Sequence, residues 1–286
     1  MSAQDSRSLE RTGASPDAII SHYDMGEDFF RLILDPDLNY SCAMFEGDED
    51  LVTAQNRKLD HHISAANAAG TARVLDIGCG WGAMLRRLVN HAGVEQAVGL
   101  TLSPSQARWI RQSGGPQITV LEQDWRDHRP EKRYDAIVSI GAFEHFVQKG
   151  LDPVRKLDAY RGFFAYCDRI LATGGKLSLQ TIAYSEHHKV HPLLEKTFPE
   201  SDLPLIWEPI AAAEGRFQLM ALRNDGDHYY RTLQFWEQNL MKNYDAAVAL
   251  VGQSATDEFR RYLQLSAAGF RIGMASLLRM SFVKKY

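Results

Sequence analysis

The residues able to do chemistry in this chain fall into a few short stretches. The densest is Val74-Leu75-Asp76-Ile77-Gly78-Cys79-Gly80-Trp81-Gly82, where an apolar run ends in an acid and three glycines follow at alternate positions. Glycine lets the backbone turn sharply and lets a ligand approach where a Cβ would stand in the way. The helix-like stretch that follows, Ala83-Met84-Leu85-Arg86-Arg87-Leu88-Val89, begins with free N–H groups and a positive dipole end, which suit a carboxylate or a phosphate. A second stretch, Gly141-Ala142-Phe143-Glu144-His145, places a carboxyl and an imidazole side by side after a strand. That pair suits proton transfer; it also suits a plain helix start with a favourable acid. His187, His188 and His191 include an i, i+4 pair able to bind a metal. No acid or cysteine at a supporting spacing joins them, so they read as a solvated lid and no metal is expected. Cys42 reads as a small buried hydrophobe, not a nucleophile.

The glycine spacing separates the possible ligands. A dinucleotide fold carries G-x-G-x-x-G and an acid about 20 residues further on. Here the pattern is Gly78-x-Gly80-x-Gly82 with the acid, Asp76, two residues ahead. The next strand-like run, Gln96 to Leu102, ends in Thr101 and Ser103 and offers no acid. That disfavours a nicotinamide-dependent oxidoreductase and points to the methyltransferase version of the fold, whose ligand is S-adenosylmethionine. A bare structural turn, or a cofactor-binding module without catalysis, are the competing readings.

These residues need a sheet to hold them. Strand-like runs lie at 72–77, 96–102, 117–121, 134–140 and 176–182, with helical stretches between them, among them one led by Ser103-Pro104 and one over 154–172. Such alternation predicts a parallel sheet with right-handed crossovers and a ligand beyond the strands' carboxyl ends. Further strands are expected at 217–223 and 277–283, and helices at 51–68, 232–250 and 256–270. The fold class is therefore α/β. Residues 1–16 are expected to be frayed, with Ser15-Pro16-Asp17 starting a helix. Residues 17–286 form one domain, with a helical cap over 17–70 and a lid or substrate region over 183–245.

Bulk properties narrow the class. The chain has 286 residues, 45% of them hydrophobic and 24% charged, enough to bury a full core. A formal net charge of -4 argues against a broad nucleic-acid footprint. The three cysteines, Cys42, Cys79 and Cys167, make no C-x-x-C pair and suit a reducing compartment. There is no apolar run of spanning length and no apolar signal core before Pro16, so a cytoplasmic location without stable membrane insertion is expected. Nothing in the sequence sets an oligomeric state.

Five ordered blocks make the chain resemble the cyclopropane fatty acid synthase and mycolic acid cyclopropane synthase family of methyltransferases. They are His22-Tyr23-Asp24 with Asp28-Phe29-Phe30; Tyr40 to Phe45; Leu75 to Gly82 with Gly99-Leu100-Thr101-Leu102-Ser103 and Gln106; Ser139 to Phe146; and His228-Tyr229 with Thr232-Leu233. The resemblance implies a class I methyltransferase Rossmann-like fold, a mostly parallel seven-stranded sheet with helices on both faces. It implies S-adenosylmethionine as cofactor. Tyr40 and Ser41 would close over the methionine end, and Asp76, Gly78 and Gly80 would line its carboxylate and amine side. Thr101, Leu102 and Gln106 would meet the ribose and adenine, with Asp124 beside them and Trp125 stacking on the adenine. Glu144, Tyr229 and His145 would serve the acceptor. A bicarbonate ion acting as base would be held by Cys42, Glu144, Tyr229 and the backbone near Ile140.

The chain departs from the family pattern at one expected bicarbonate holder. A histidine at the end of strand five is replaced by Gln180, which hydrogen-bonds but does not titrate. The segment between strand five and His228 is also shorter than in the mycolic acid enzymes, where it helps build the acyl tunnel. Both departures point to methylation of carbon or nitrogen on a small metabolite. The alternative acceptor is an unsaturated fatty acyl chain, giving a cyclopropane or a methyl branch.

Overall fold

The computed structural model describes residues 13, 15, 25–186, 191–197 and 200–285. Its centre is one seven-stranded sheet in the order β3-β2-β1-β4-β5-β7-β6. The strands are β1 (Arg73–Ile77), β2 (Gln96–Thr101), β3 (Ile118–Glu122), β4 (Tyr134–Ile140), β5 (Leu171–Tyr184), β6 (Phe217–Asn224) and β7 (Ala275–Lys284). The first five run parallel, and β7 lies antiparallel to both β5 and β6. The chain winds outward from β1 to β3 and then returns to lay β4 on the other side of β1. That reversal opens a crevice at the carboxyl ends of β1 and β4, where such sheets take ligands.

Alternate residues of each strand serve opposite layers. Leu75, Ile77, Leu100 and Ile137 join a core with Phe163, Phe164 and Tyr160 of helix α5 (Pro153–Ile170). Val74, Ala97, Ala136 and Val138 pack on the other face, against α2 (Leu51–Ala65), α3 (Ala83–Asn90) and α4 (Pro104–Ser113). Asp76, two residues from Val74, falls on this second face. The helix starts are locally encoded: the Asp50 side chain accepts from Thr53 N–H at 2.7 Å, Ser103 caps α4 with Pro104 just inside, and Asp152 caps α5.

A third apolar cluster joins the N-terminal cap to the last helices. Phe29 and Phe30 of the short α1 (Glu27–Arg31) pack with Phe259, and residues 38–45 follow over α8 (Gly226–Lys242) and α10 (Gln253–Arg271). The Phe29 and Phe259 rings meet edge-on at 5.2 Å.

Several boundaries differ from the sequence expectation. The helix expected at 232–250 begins six residues earlier and breaks at Asn243, giving α8 and α9 (Tyr244–Val251). The Asn243 side chain donates to Leu32 O and Asn239 O at 2.8 and 3.1 Å, holding the break against the cap. Strand β5 extends to Tyr184 because β7 pairs with it over nine residues, so 183–184 belong to the sheet and not to the lid. The rest of the lid region holds α6 (Pro192–Thr197), α7 (Glu208–Ala213) and the edge strand β6. The helix start at Ser15-Pro16-Asp17, His187 and His188 lie outside the described residues. So does the frayed stretch, apart from Gly13, which sits against His145 O and the Arg126 guanidinium, and Ser15, whose N–H donates to Glu200 at 2.6 Å.

Candidate active site

The turn after β1 takes a shape that only glycine adopts readily. Gly78 has φ +80° and a Cβ there would run into Ala142. Gly80, at φ +51°, has nothing within 4 Å of the place a Cβ would occupy, so this side of the turn is open to a ligand. Two cavities meet along it, sharing Gly78, Gly80, Gln106 and Gly141. One, of about 550 Å³, is walled by Tyr40, Ser41, Lys58, Asp76 and Ile140. The other, of about 660 Å³, is walled by Thr101, Leu102, Asp124, Trp125 and His145. Every residue expected to hold the cofactor therefore lines one continuous groove across the sheet's carboxyl edge.

The two ends differ in chemistry. In the second cavity Thr101, which stands where a dinucleotide fold would carry an acid, donates from Oγ1 to Gln106 Oε1 at 2.7 Å and so fixes the Gln106 amide. Trp125 is 4% exposed, lies under the Arg126 guanidinium at 4.5 Å, and leaves its indole N–H without a partner among the described residues. Arg126 in turn bonds Asp124 and donates to Phe146 O at 2.8 Å. In the first cavity Asp76 and Lys58, both nearly fully buried, put opposite charges on one wall. Burial pushes the Asp76 carboxyl up to about 7 and the Lys58 ammonium down to about 8.

The groups expected to serve the acceptor are not gathered at one place: Tyr229 adjoins the first cavity through Trp236 and Tyr40, His145 lines the second, and Glu144 lines neither. Glu144 sits in a 3₁₀ turn after β4 and is 5% exposed. Its Oε1 accepts from Ile182 N–H at 2.6 Å, and its Oε2 is buried with no hydrogen-bond partner among the described residues. Burial raises this carboxyl to about 7, against the opposing pull of the Ile182 N–H. His145 points elsewhere: its Nδ1 pairs with Ser201 Oγ at 2.7 Å, it lines the second cavity, and burial lowers it to about 4. The sequence neighbours Glu144 and His145 thus face different parts of the site. Tyr229 meets Phe270 and Trp236 at ring distances of 4.7 and 6.1 Å, and Tyr40 meets Trp236 at 5.1 Å. These rings form an aromatic wall continuous with the first cavity through Tyr40. Among the described residues no group of three His, Cys, Asp or Glu side chains is placed to hold a metal ion.

One residue missed by sequence reasoning dominates this end. Arg279 of β7 is 2% exposed. Its Nε donates to Gln180 Oε1 at 2.9 Å, its Nη1 pairs with Asp225, and its Nη2 donates to Cys42 O and Ala43 O at 3.1 and 3.0 Å. Cys42 Sγ lies 3.5 Å from Nη2 and donates to Ala43 O; burial holds the thiol up at about 12. Gln180 Oε1 also lies 3.3 Å from Nε2 of the buried His62. Lys58 was likewise missed. Gln55, Lys58 and His62 recur at helical spacing on the buried face of α2, a polar stripe within an apolar one, and that is the signal that marks them. For Arg279 the signal is a lone cation inside Leu277-Leu278-Arg279-Met280.

The site can be set beside known proteins. The model of the family described as mycolic acid cyclopropane synthetase matches residues 11–280. Cyclopropane mycolic acid synthase 3 of Mycobacterium tuberculosis is 36% identical over 286 residues, covering 92% of this chain and 96% of that protein. Among solved structures, the cyclopropane synthase MmaA2 from Mycobacterium tuberculosis superimposes with a TM-score of 0.85 at 31% identity, covering 95% of this chain and 99% of that one. The mycolic acid cyclopropane synthase CmaA1 complexed with SAH and CTAB gives 0.82 at 32%, with the same coverage. The glycine turn, the groove it opens and the match along nearly the whole chain agree: this chain belongs to the mycolic acid cyclopropane synthetase family and is an S-adenosylmethionine-dependent methyltransferase.

Proposed function

We propose that this enzyme transfers the methyl group to carbon or nitrogen of a compact, largely apolar acceptor seated against Tyr40, Tyr229, Trp236 and Phe270, with Glu144 taking the proton the acceptor loses. The observation that carries this reading is Glu144 itself, a buried carboxyl raised to about 7 with one oxygen unpartnered among the described residues. A base with that value is half ionised near neutral pH and still strong enough to accept a proton.

S-adenosylmethionine supplies a methyl already activated by its sulfonium charge. The protein's share is alignment, exclusion of water and handling of the proton. Tyr40 and Ser41 cover the methionine end, Asp76, Gly78 and Gly80 floor it, and Ile140 closes it beside Gly141. Thr101, Leu102 and Gln106 take the ribose and adenine, with Asp124 and Trp125 at the far wall. The aromatic faces of Tyr229 and Trp236 favour a positive charge developing on the acceptor. With an amine acceptor, Glu144 removes the ammonium proton. With an alkene, methyl addition leaves a carbocation, and removal of a neighbouring proton gives a ring or a branched alkene. His145, neutral and bound to Ser201, supports the wall of the second cavity and is not assigned to proton transfer.

The residues do not fit a bicarbonate held as the resemblance implies. Cys42 and the residue at 180 are engaged by the Arg279 guanidinium, and the Cys42 thiol is spent on Ala43 O. Cys42 serves packing. Ring closure on an unsaturated acyl chain is the second reading, favoured by the 36% identity to a protein named for cyclopropanating mycolic acids. The decisive experiment expresses the chain in a bacterial host that lacks cyclopropane lipids and analyses its fatty acids by mass spectrometry. Cyclopropane or methyl-branched chains would replace the small acceptor with an acyl one. In parallel, purified enzyme is assayed for S-adenosylhomocysteine release with small alkenes and amines, and release above the acceptor-free rate is expected.

A further inference from the structure

Lys58 and Asp76 present an unusual pair of charges. Lys58 is 1% exposed and Asp76 is 3% exposed, and both line the first cavity. A buried ammonium is costly unless it has an ionic partner. Among the described residues Lys58 has no carboxylate within ion-pair distance; its Nζ donates to two neutral acceptors, Asn39 Oδ1 at 2.9 Å and Ser41 Oγ at 3.0 Å. An ammonium has three donors, so one is left over on the cavity side. Its aim is fixed from behind. Asp35 accepts from both N–H and Nδ2 of Asn39, at 2.8 and 2.9 Å, and the Gln55 amide donates to Ser41 O at 2.9 Å. Asp76, for its part, accepts no hydrogen bond from the described residues, and its charge lies on the same wall near Gly78 and Gly80.

A cavity wall that carries an ammonium with no carboxylate in contact and, near enough to feel its charge, a carboxyl that accepts no hydrogen bond, both among the described residues, is complementary to a zwitterion. The amino-acid end of S-adenosylmethionine is one. We infer that Lys58 is the group that receives the cofactor's α-carboxylate, while Asp76, on the same wall, receives the α-ammonium. The inference rests on the cofactor assignment and adds to it a residue from outside the glycine turn. It also gives two members of the polar stripe on α2 a purpose: the Gln55 amide holds Ser41 O, and Lys58 donates to the side chains of Asn39 and Ser41 beside it.

Titration calorimetry with three ligands tests it. S-adenosylhomocysteine carries both charges, its decarboxylated analogue keeps only the amine, and 5′-methylthioadenosine has neither. In the wild type, loss of the carboxylate is expected to weaken binding by about tenfold or more, the worth of a charge-assisted hydrogen bond. Lys58→Met is expected to weaken S-adenosylhomocysteine by a similar factor and to leave the other two ligands unchanged. Asp76→Asn is expected to weaken both amine-bearing ligands and to spare 5′-methylthioadenosine. Equal weakening of all three ligands by Lys58→Met, or none, overturns the inference. Should Lys58→Met not fold, the wild-type ratio still decides: equal affinity for S-adenosylhomocysteine and its decarboxylated analogue overturns it. Wild-type enzyme that binds none of the three overturns the cofactor assignment instead.

Discussion

The two ends of the groove are built by different means. The adenosine end is made from strand tips and the residues that closely follow them: Thr101 and Leu102 at the end of β2, Asp124 and Trp125 after β3, with Gly78 and Gly80 after β1 joining it to the other end. The methionine and acceptor end is assembled from elements far apart in the chain. Lys58 comes from α2, Glu144 from the turn after β4, Gln180 from β5, Tyr229 from α8 and Arg279 from β7. At the first end the groups are mostly neutral and satisfied by near neighbours. At the second, buried charges face one another across long sequence separations, as in the pair Arg279–Asp225 and the bonds from Arg279 to Cys42 O and Ala43 O. A binding groove can be written locally, but a site that moves protons and holds charge out of water needs several elements to converge.

That contrast can be tested from its strongest consequence downward. Glu144→Gln keeps the shape and the bond from Ile182 N–H but removes the base. Turnover is expected to fall by about 100-fold or more, while S-adenosylhomocysteine affinity measured by calorimetry stays near wild type. Equal losses in both would place Glu144 on the cofactor side and blur the division between the ends. Arg279→Met strands the buried Asp225, for which the exposed Arg223 is a weaker partner. Urea unfolding is expected to show a loss of about 3–5 kcal/mol, whereas Thr101→Ala, at the neutral end, is expected to cost about 1 kcal/mol. Comparable values would remove the asymmetry. Gly80→Val puts a branched side chain into the open groove at positive φ. Loss of cofactor binding is expected with a stability cost of about 1–2 kcal/mol, because the space is clear of protein.

Acidity supplies a finer probe. The Glu144 carboxyl is raised from 4.5 to about 7 by burial. It must be ionised to accept a proton, so kcat should rise with pH through about 7 and level off above it. Folding shows the opposite sign. The folded state holds protons on Glu144 and Asp76 that the unfolded chain releases near pH 4, so the stability tied to these groups is full below that pH and lost as pH rises toward 7. Chemical denaturation at pH 5 and pH 8 should show this decline, and Glu144→Gln should reduce it. The smallest effect is expected from Gln180→His. The guanidinium of Arg279 already occupies that corner, so ring-forming activity should change little; a clear gain would mean the corner opens to hold an anion.

The groove was legible in the sequence because its information is local. Asp76 and Thr101 stand at the ends of their strands and the three glycines follow β1 closely, and the alternation of strands and helices put those tips on one edge. The pairing of Glu144 with His145 was not resolved in the same way. Adjacent residues in a 3₁₀ turn point apart, so one faces Ile182 and the other Ser201. The helix break at 243 was not foreseen because Asn243 is held by the cap's Leu32, a contact with no sequence signature. Lys58 and Arg279 were missed for a related reason: each reads as an ordinary cation until its burial is known.

Residue types and spacing by themselves determined the sheet, the turn and the class of ligand, since a strand, a glycine bend and a capped helix are each decided within about ten residues. Only the tertiary structure decided which charges are buried and which partners they have. Desolvation depends on everything packed around a group, and for Lys58, Glu144 and Arg279 those surroundings come from the whole length of the chain.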